Sequence, residues 1–356
     1  MKFSLRYFFI STILLLIFIN KFVRKCHGEP KVMIGSTRIE GIHMVTRNNR
    51  NISGFMGIPY AEPPIGLLRF SNPILKDLSG SYLSANKEGS ACTQMTRHGE
   101  KKVIGNEDCL FLNVYTPLKS FSGGESLLPV MMLIHGSAFL VGSGSNESLG
   151  PNYLLDKNIV YVSINYRLDI FGFLSTGDNV ALGNFGIKDQ LVALQWIQKY
   201  IRHFGGDPNQ VTLIGYSTGA DSVNHHIFSN LTKDYFHRYI MQSGCSFTAR
   251  SYNTAEKSAK IAKNAAEYFN CSTENSNLLV DCLRAIDNKI LVNNSDIFPK
   301  IRNIFHSTWS PTIEPKVPGA YITENPFHIL MGKKYRHLPG ISGIVPDEGL
   351  NWIAYS

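Results

Sequence analysis

The stretch Val211-Thr-Leu-Ile-Gly215-Tyr-Ser217-Thr-Gly219 constrains this chain more than any other. A β-rich apolar run leads directly into G-x-S-x-G, and a helix-like stretch, Ala220–Phe228, follows. A strand can turn into a helix that abruptly only if the central serine takes a strained backbone conformation. Gly215 and Gly219 supply the missing Cβ atoms that let strand and helix pass so closely. The Ser217 hydroxyl is then held above the sheet at a helix N-terminus, where developing negative charge is favoured. The bland alternative is a structural turn, but a turn has no need of this strand and this helix on its two sides.

The rest of the chain supplies the sheet that such an elbow needs. Leu110–Tyr115, Val130–His135, Ile159–Ile164 and Val211–Ile214 are short apolar runs. The second and fourth are almost wholly apolar, as strands buried on both faces should be. Between them, Ile187–His203 places Leu191, Leu194, Ile197 and Ile201 on one helical face. Gly205-Gly206 predicts its stop, and Asp207-Pro208 predicts a turn. A second helix is expected over Ala255–Phe269. Helices alternating with buried strands predict an α/β fold with a mostly parallel sheet and right-handed crossovers. No Pro/Gly/Ser-rich linker divides the chain, so 29–356 reads as one domain. At 44% hydrophobic and 17% charged residues, the chain can fill a large core and is too poor in charge for disorder.

The amino terminus points to export. Met1–Arg6 is basic, and Phe8–Ile19 is an uncharged run of twelve residues, apolar but for Ser11 and Thr12. That suits the central region of a signal peptide and falls short of the ~20 residues that span a bilayer. A signal peptide is expected over 1–28. The basic stretch Lys21–Lys25 keeps open an uncleaved amino-terminal anchor. Asn51, Asn146, Asn230, Asn270 and Asn293 each head an N-x-S/T sequon, in keeping with a secreted glycoprotein. The net charge of +8 could suggest a nucleic-acid partner, but residues 1–28 hold five basic residues and no acid. The remainder carries 30 basic residues against 27 acidic, with no Lys/Arg stripe, so no nucleic-acid partner is expected. Of six cysteines, Cys92 with Cys109 and Cys271 with Cys282 would close short loops in an oxidising compartment, though spacing alone does not fix the pairing. No C-x-x-C or His-rich cluster predicts a metal site.

Taken in order, the motifs resemble the type-B carboxylesterase family. That family includes cholinesterases, insect carboxylesterases and juvenile hormone esterases, along with neuroligin- and glutactin-like adhesion proteins. The matching stretches are FMGIPYAEPPIGLLRF (55–70), EDCLFLNVYTP (107–117), NYRLDIFGFL (165–174), GNFGIKDQLVALQW (183–196), FGGDPNQVTLIGYSTG (204–219) and IMQSG (240–244). The resemblance implies an α/β-hydrolase fold and a Ser–Glu–His triad. Ser217 stands at the nucleophile position and Glu348, in IVPDEG, at the acid position. Without the resemblance, Glu348 would read as a surface acid in a turn. An oxyanion hole is implied from the backbone N–H groups of Ser137, Ala138 and Thr218. Disulfides Cys92–Cys109 and Cys271–Cys282 are implied, with Cys245 left over. Buried ion pairs Arg69–Glu107 and Arg167–Asp189 are implied as well. No cofactor is implied, and the substrate would be a small uncharged carboxylic ester.

Several positions depart from the family. Its histidine lies well beyond the acid, whereas all eleven histidines here precede Glu348. His225-His226 is close to Ser217 in sequence, but the elbow helix carries the pair away from it. The fold is therefore expected to be incomplete at its carboxyl end, leaving a bare sheet edge and uncovered apolar surface. The loop His135-Gly136-Ser137-Ala138-Phe139 stands where the family commonly has a run of two or three glycines. If the Ser137 position needs φ > 0, its donor is held at a cost in strain; otherwise Ser137 is a tolerated loop residue. Tyr216, Asp221 and Asp169 also replace the usual residues near the site. Asp221 alternatively reads as an acid favoured in a helix's first turn. No Trp lies between Cys92 and Cys109, so choline esters are not expected. Two functions follow from the resemblance. One is a secreted serine ester hydrolase, inactive as this chain alone because its histidine is missing. The other is a non-catalytic extracellular binding protein of the same fold with a protein partner.

Overall fold

The computed structural model describes residues 28–80, 82–96, 99–118, 121, 126–248, 251–294 and 308–350. All but Gly28 of the expected signal peptide lies outside the described residues. The strands are β1 (Lys31–Ile34), β2 (Thr37–Glu40), β3 (Ile42–Val45), β4 (Asn51–Pro59), β5 (Tyr82–Ser84), β6 (Gln94–Met95), β7 (Val103–Ile104), β8 (Phe111–Thr116), β9 (Leu128–Ile134), β10 (Val160–Ile164), β11 (Gly206–Tyr216), β12 (Arg238–Gln242) and β13 (Gly340–Gly343). The α-helices are α1 (Asn146–Leu149), α2 (Asp169–Phe173), α3 (Phe185–Tyr200), α4 (Thr218–Phe228), α5 (Ala255–Tyr268), α6 (Ser276–Ala285), α7 (Asn288–Asn293) and α8 (Pro326–Met331).

Eight strands form the central sheet in the order β13-β12-β11-β9-β10-β8-β4-β3. From β13 through β10 every pairing is parallel. The pairings of β10 with β8, β8 with β4 and β4 with β3 are antiparallel. The apolar run at 110–115 thus joins the sheet antiparallel to both of its neighbours. The sheet has two buried faces because its strands alternate. Val130, Met132, Val160, Val162, Val211 and Leu213 enter one apolar cluster, together with residues of α3, α4, α5 and α6. Leu133, Tyr161 and Ile214 enter a smaller cluster on the other face, with Ile52, Met56 and Tyr115.

One local expectation is corrected. Gly205 does end the helical segment, with φ +79. Asp207-Pro208, however, does not end the strand; β11 spans it, from Gly206 to Tyr216. Gly206 and Asp207 pair with Leu128 and Pro129, and the register then shifts before Val211 pairs with Val130. Pro208 falls inside that irregularity, where no ladder hydrogen bond is needed from its nitrogen.

Among the described residues three buried ion pairs tie the loops around the sheet. Arg69 grips Glu107 with two bonds, Nε–Oε1 at 2.6 Å and Nη2–Oε2 at 2.5 Å. Its Nη1 donates to the carbonyls of Arg284 (2.9 Å) and Ile286 (2.6 Å), at the carboxyl end of α6. Arg167 pairs with Asp189 in the same two-pronged way, at 2.9 and 2.7 Å. The sequence did not point to the third, Lys188–Glu314 at 2.5 Å. Disulfides join Cys92 to Cys109 and Cys271 to Cys282, and Cys245 is free.

Candidate active site

Ser217 is the residue between β11 and α4, with φ 52° and ψ −127°. That is a region L-residues avoid, and the surroundings enforce it. A Cβ on Gly215 would lie 2.2 Å from the Gly219 carbonyl oxygen, and one on Gly219 would lie 2.2 Å from that of Ile134. Neither glycine has positive φ, so close approach alone excludes larger residues at both. The Ser217 N–H donates to the Gln242 carbonyl at 2.8 Å, tying the elbow to the end of β12. The Ser217 carbonyl accepts from Ala220 and Asp221 at 2.8 and 3.1 Å, which starts the helix. Among the described residues the Thr218 N–H has no acceptor, as expected for the first residue of a helix.

The loop after β9 lies against this elbow. A Cβ on Gly136 would sit 2.5 Å from the Tyr216 oxygen and 3.0 Å from Ser217 Cβ. The next three residues, Ser137, Ala138 and Phe139, all have positive φ, at 83°, 58° and 63°. The left-handed backbone anticipated at Ser137 is thus present, and it extends to Ala138 and Phe139, which the sequence did not point to. The loop closes on itself through Leu140 N to Ser137 O at 3.1 Å. The Ala138 N–H has no acceptor among the described residues. His135, at the loop's start, is fully buried and stacks on Tyr166 with ring centroids 4.3 Å apart. Burial holds its pKa down at about 4, so the ring is neutral.

Glu348 follows β13, two strands from β11 and at the same, carboxyl, end of the parallel strands. Neighbouring strands are spaced by about 4.8 Å, so β13 and β11 are about 10 Å apart. The Glu348 carboxylate caps its own turn, accepting from Val345 N at 3.4 Å. No histidine hydrogen-bonds to Ser217 among the described residues. His225 Nε2 donates to the Ser251 carbonyl at 2.9 Å. His226 lies between Tyr321 Oη at 2.5 Å and Gln190 Oε1 at 3.0 Å. Both rings are buried and kept neutral, with pKa values of about 4 and about 3. Asp221 is fully buried in the first turn of α4 and accepts from Ser251 Oγ at 2.8 Å, so it is an internal acid behind the elbow rather than an exposed one.

Comparison with known proteins identifies the family. The model of the carboxylesterase family matches residues 28–356. The chain belongs to the carboxylesterase family. It is 39% identical over 349 residues to the carboxylic ester hydrolase of Bombus ignitus, covering 96% of this chain and 60% of that protein. It is 41% identical over 339 residues to esterase E4 of Myzus persicae, covering 94% and 60%. It is 36% identical over 341 residues to the juvenile hormone esterase of Tribolium castaneum, covering 93% and 57%. The chain therefore spans about 60% of the length of such relatives. Its fold is that of the α/β-hydrolases.

The sequence did not single out Gln94. This buried residue binds the loop's far end through Gly142. Its one signal is its position, two residues from a half-cystine.

Proposed function

We propose that the protein is a secreted carboxylic ester hydrolase working through a serine nucleophile and an acyl-enzyme. The observation that carries this reading is the strained Ser217 at the β11–α4 elbow, with the N–H groups of Ala138 in the loop after β9 and Thr218 at the helix start without an acceptor among the described residues. Ser217 Oγ attacks the ester carbonyl while a histidine takes its proton. The carbonyl oxygen becomes an oxyanion held by the N–H groups of Ser137, Ala138 and Thr218. The C–O bond then breaks, and the histidine returns the proton to the departing alcohol. Water, activated the same way, releases the acid and restores the serine. Glu348 orients the histidine and stabilises its charged form. None of the described histidines fits this role, and the relatives' greater length leaves room for one in the rest of the protein. The reading includes a signal peptide over 1–28, one hydrolase domain over 29–356, glycosylation at exposed sequons and no cofactor.

The native gene product should hydrolyse p-nitrophenyl acetate, and Ser217→Ala should abolish that turnover. Residues 1–356 alone should show none. Ser217-independent turnover would rule the mechanism out. The second reading, a non-catalytic extracellular binding protein, is favoured by the three strained residues Ser137–Phe139 where glycine would be unstrained. A native product that folds, is exported and neither turns over esters nor is labelled by a fluorophosphonate would establish it instead.

A further inference from the structure

We propose that Gln94 is a positioning residue of the ester-cleaving site, holding the loop 135–142 in the conformation that presents its backbone donors to the substrate oxygen. The proposal rests on the serine-esterase reading above.

Gln94 stands in the short ribbon inside the Cys92–Cys109 loop and is buried. Its side-chain amide pairs with both backbone groups of Gly142. Oε1 accepts from Gly142 N at 2.6 Å, and Nε2 donates to Gly142 O at 2.8 Å. The second Nε2 hydrogen goes to the Cys92 carbonyl at 2.9 Å. One primary amide thus takes the place of a β-bridge between segments 48 residues apart, using both of its donors. Gly142 has φ +124, and a Cβ there would lie 2.5 Å from His135 Nδ1. The two ends of the loop are therefore packed against each other, and Gln94 grips that junction.

The loop needs such a grip. A run of three left-handed residues persists only where the surroundings over-determine it. Two backbone restraints act earlier in the loop: Tyr166 Oη donates to His135 O at 2.8 Å, and Asp169 N donates to Phe139 O at 2.8 Å. Gln94 supplies the restraint at the end. With it removed, Ser137–Phe139 can relax toward ordinary φ, which swings the peptide N–H groups of Ser137 and Ala138 away from Ser217. Oxyanion donors act on the transition state more than on bound ester, so the loss should fall on kcat rather than on KM.

The test compares the native gene product with Gln94→Leu and Gln94→Glu, reading p-nitrophenyl acetate kinetics and amide hydrogen exchange. For Gln94→Leu, kcat should fall by about tenfold or more with KM within about twofold, in keeping with a misplaced oxyanion donor. Exchange over 135–142 should quicken while that over α3 stays unchanged. Gln94→Glu separates positioning from bulk stability. A protonated carboxyl still offers Gly142 one donor and one acceptor, whereas a carboxylate offers no donor. Its kcat relative to wild type should therefore rise as the pH is lowered, a trend that a merely space-filling role would not produce. Ser217-dependent turnover that survives Gln94→Leu within about twofold, or unchanged exchange over 135–142, overturns the proposal and leaves the esterase reading standing. Wild-type protein without Ser217-dependent turnover overturns the esterase reading, and the role assigned to Gln94 falls with it.

Discussion

Asp169 and Phe139 are both left-handed, at φ +53 and +63, and the N–H of the first donates to the carbonyl of the second at 2.8 Å. Two left-handed residues, one opening α2 and one after β9, are thus tied to each other. Their bond is one of the restraints on the loop after β9.

Ala138 tests how much strain that loop stores. A left-handed alanine costs roughly 1–2 kcal/mol, and glycine's greater freedom in the unfolded chain takes back about 0.4–1 kcal/mol. Ala138→Gly should therefore raise unfolding stability in urea by about 0.5–1 kcal/mol. Ala138→Val, β-branched at φ 58°, should lower it and reduce turnover. A glycine variant less stable than wild type would mean that the loop is not strained.

Lys188 and Glu314 test the buried pair that joins α3 to the segment 308–324. Burial pushes the Lys188 pKa down and the Glu314 pKa up, each toward its neutral form and against the attraction of the partner. Glu314 also accepts from the N–H groups of Tyr321 and Ile322. Glu314→Ala should cost ~3–5 kcal/mol because the lysine is left charged and unpaired. Lys188→Met combined with Glu314→Gln should cost less than Glu314→Ala, since no uncompensated charge remains. Urea unfolding of the three proteins checks the order; a double variant weaker than Glu314→Ala would contradict it.

Acid should unfold this protein early. His135, His225 and His226 are each fully buried, and desolvation lowers their pKa values to about 4, 4 and 3. In the unfolded chain they titrate near 6.5, so the unfolded state binds more protons as the pH falls. Their contribution is intact above about pH 6.5 and is lost as the pH falls toward 4, by about 2 kcal/mol per histidine at pH 5. Urea midpoints at pH 7.5 and pH 5 measure the loss. His225→Asn keeps a donor for the Ser251 carbonyl and should remove about a third of the dependence; an unchanged slope would remove these histidines as its cause.

The sequons should not be used equally. Asn51, Asn230, Asn270 and Asn293 are exposed. Asn146 is half-buried, its Oδ1 is shut off from solvent, and a Cβ on Gly150 would lie 2.5 Å from that oxygen. Peptide mapping of secreted protein before and after glycosidase treatment should find glycans at the exposed asparagines and none at Asn146.

The elbow was legible because its requirements are local. A buried strand, two glycines and a helix stand within 20 residues of one another, and each has its own pattern. The helix at α3 was legible for the same reason, from its apolar face. Glu348 was placed by resemblance alone; nothing in IVPDEG distinguishes a site acid from a turn acid. Lys188–Glu314 was missed because the partners are 126 residues apart and Glu314 sits among turn residues, where a buried charge leaves no periodicity. Gln94 was missed for a similar reason, since its partner is a backbone and not a side chain. Among the described residues β13 lies at one end of the central sheet, with Ile341 67% exposed and Ile344, just beyond it, 76%.

Arg69 sets a timetable for synthesis. It meets Glu107 38 residues later, but the carbonyls that receive its Nη1 lie 214 to 217 residues downstream. At ~5–20 residues per second, a ribosome would need about 10–40 s to deliver them after Arg69 has emerged. Through that interval the nascent chain carries a half-satisfied guanidinium beside a cluster that is still open. Slowing translation between codons 107 and 286 should lengthen the time the chain spends bound to chaperones, and speeding it should shorten that time.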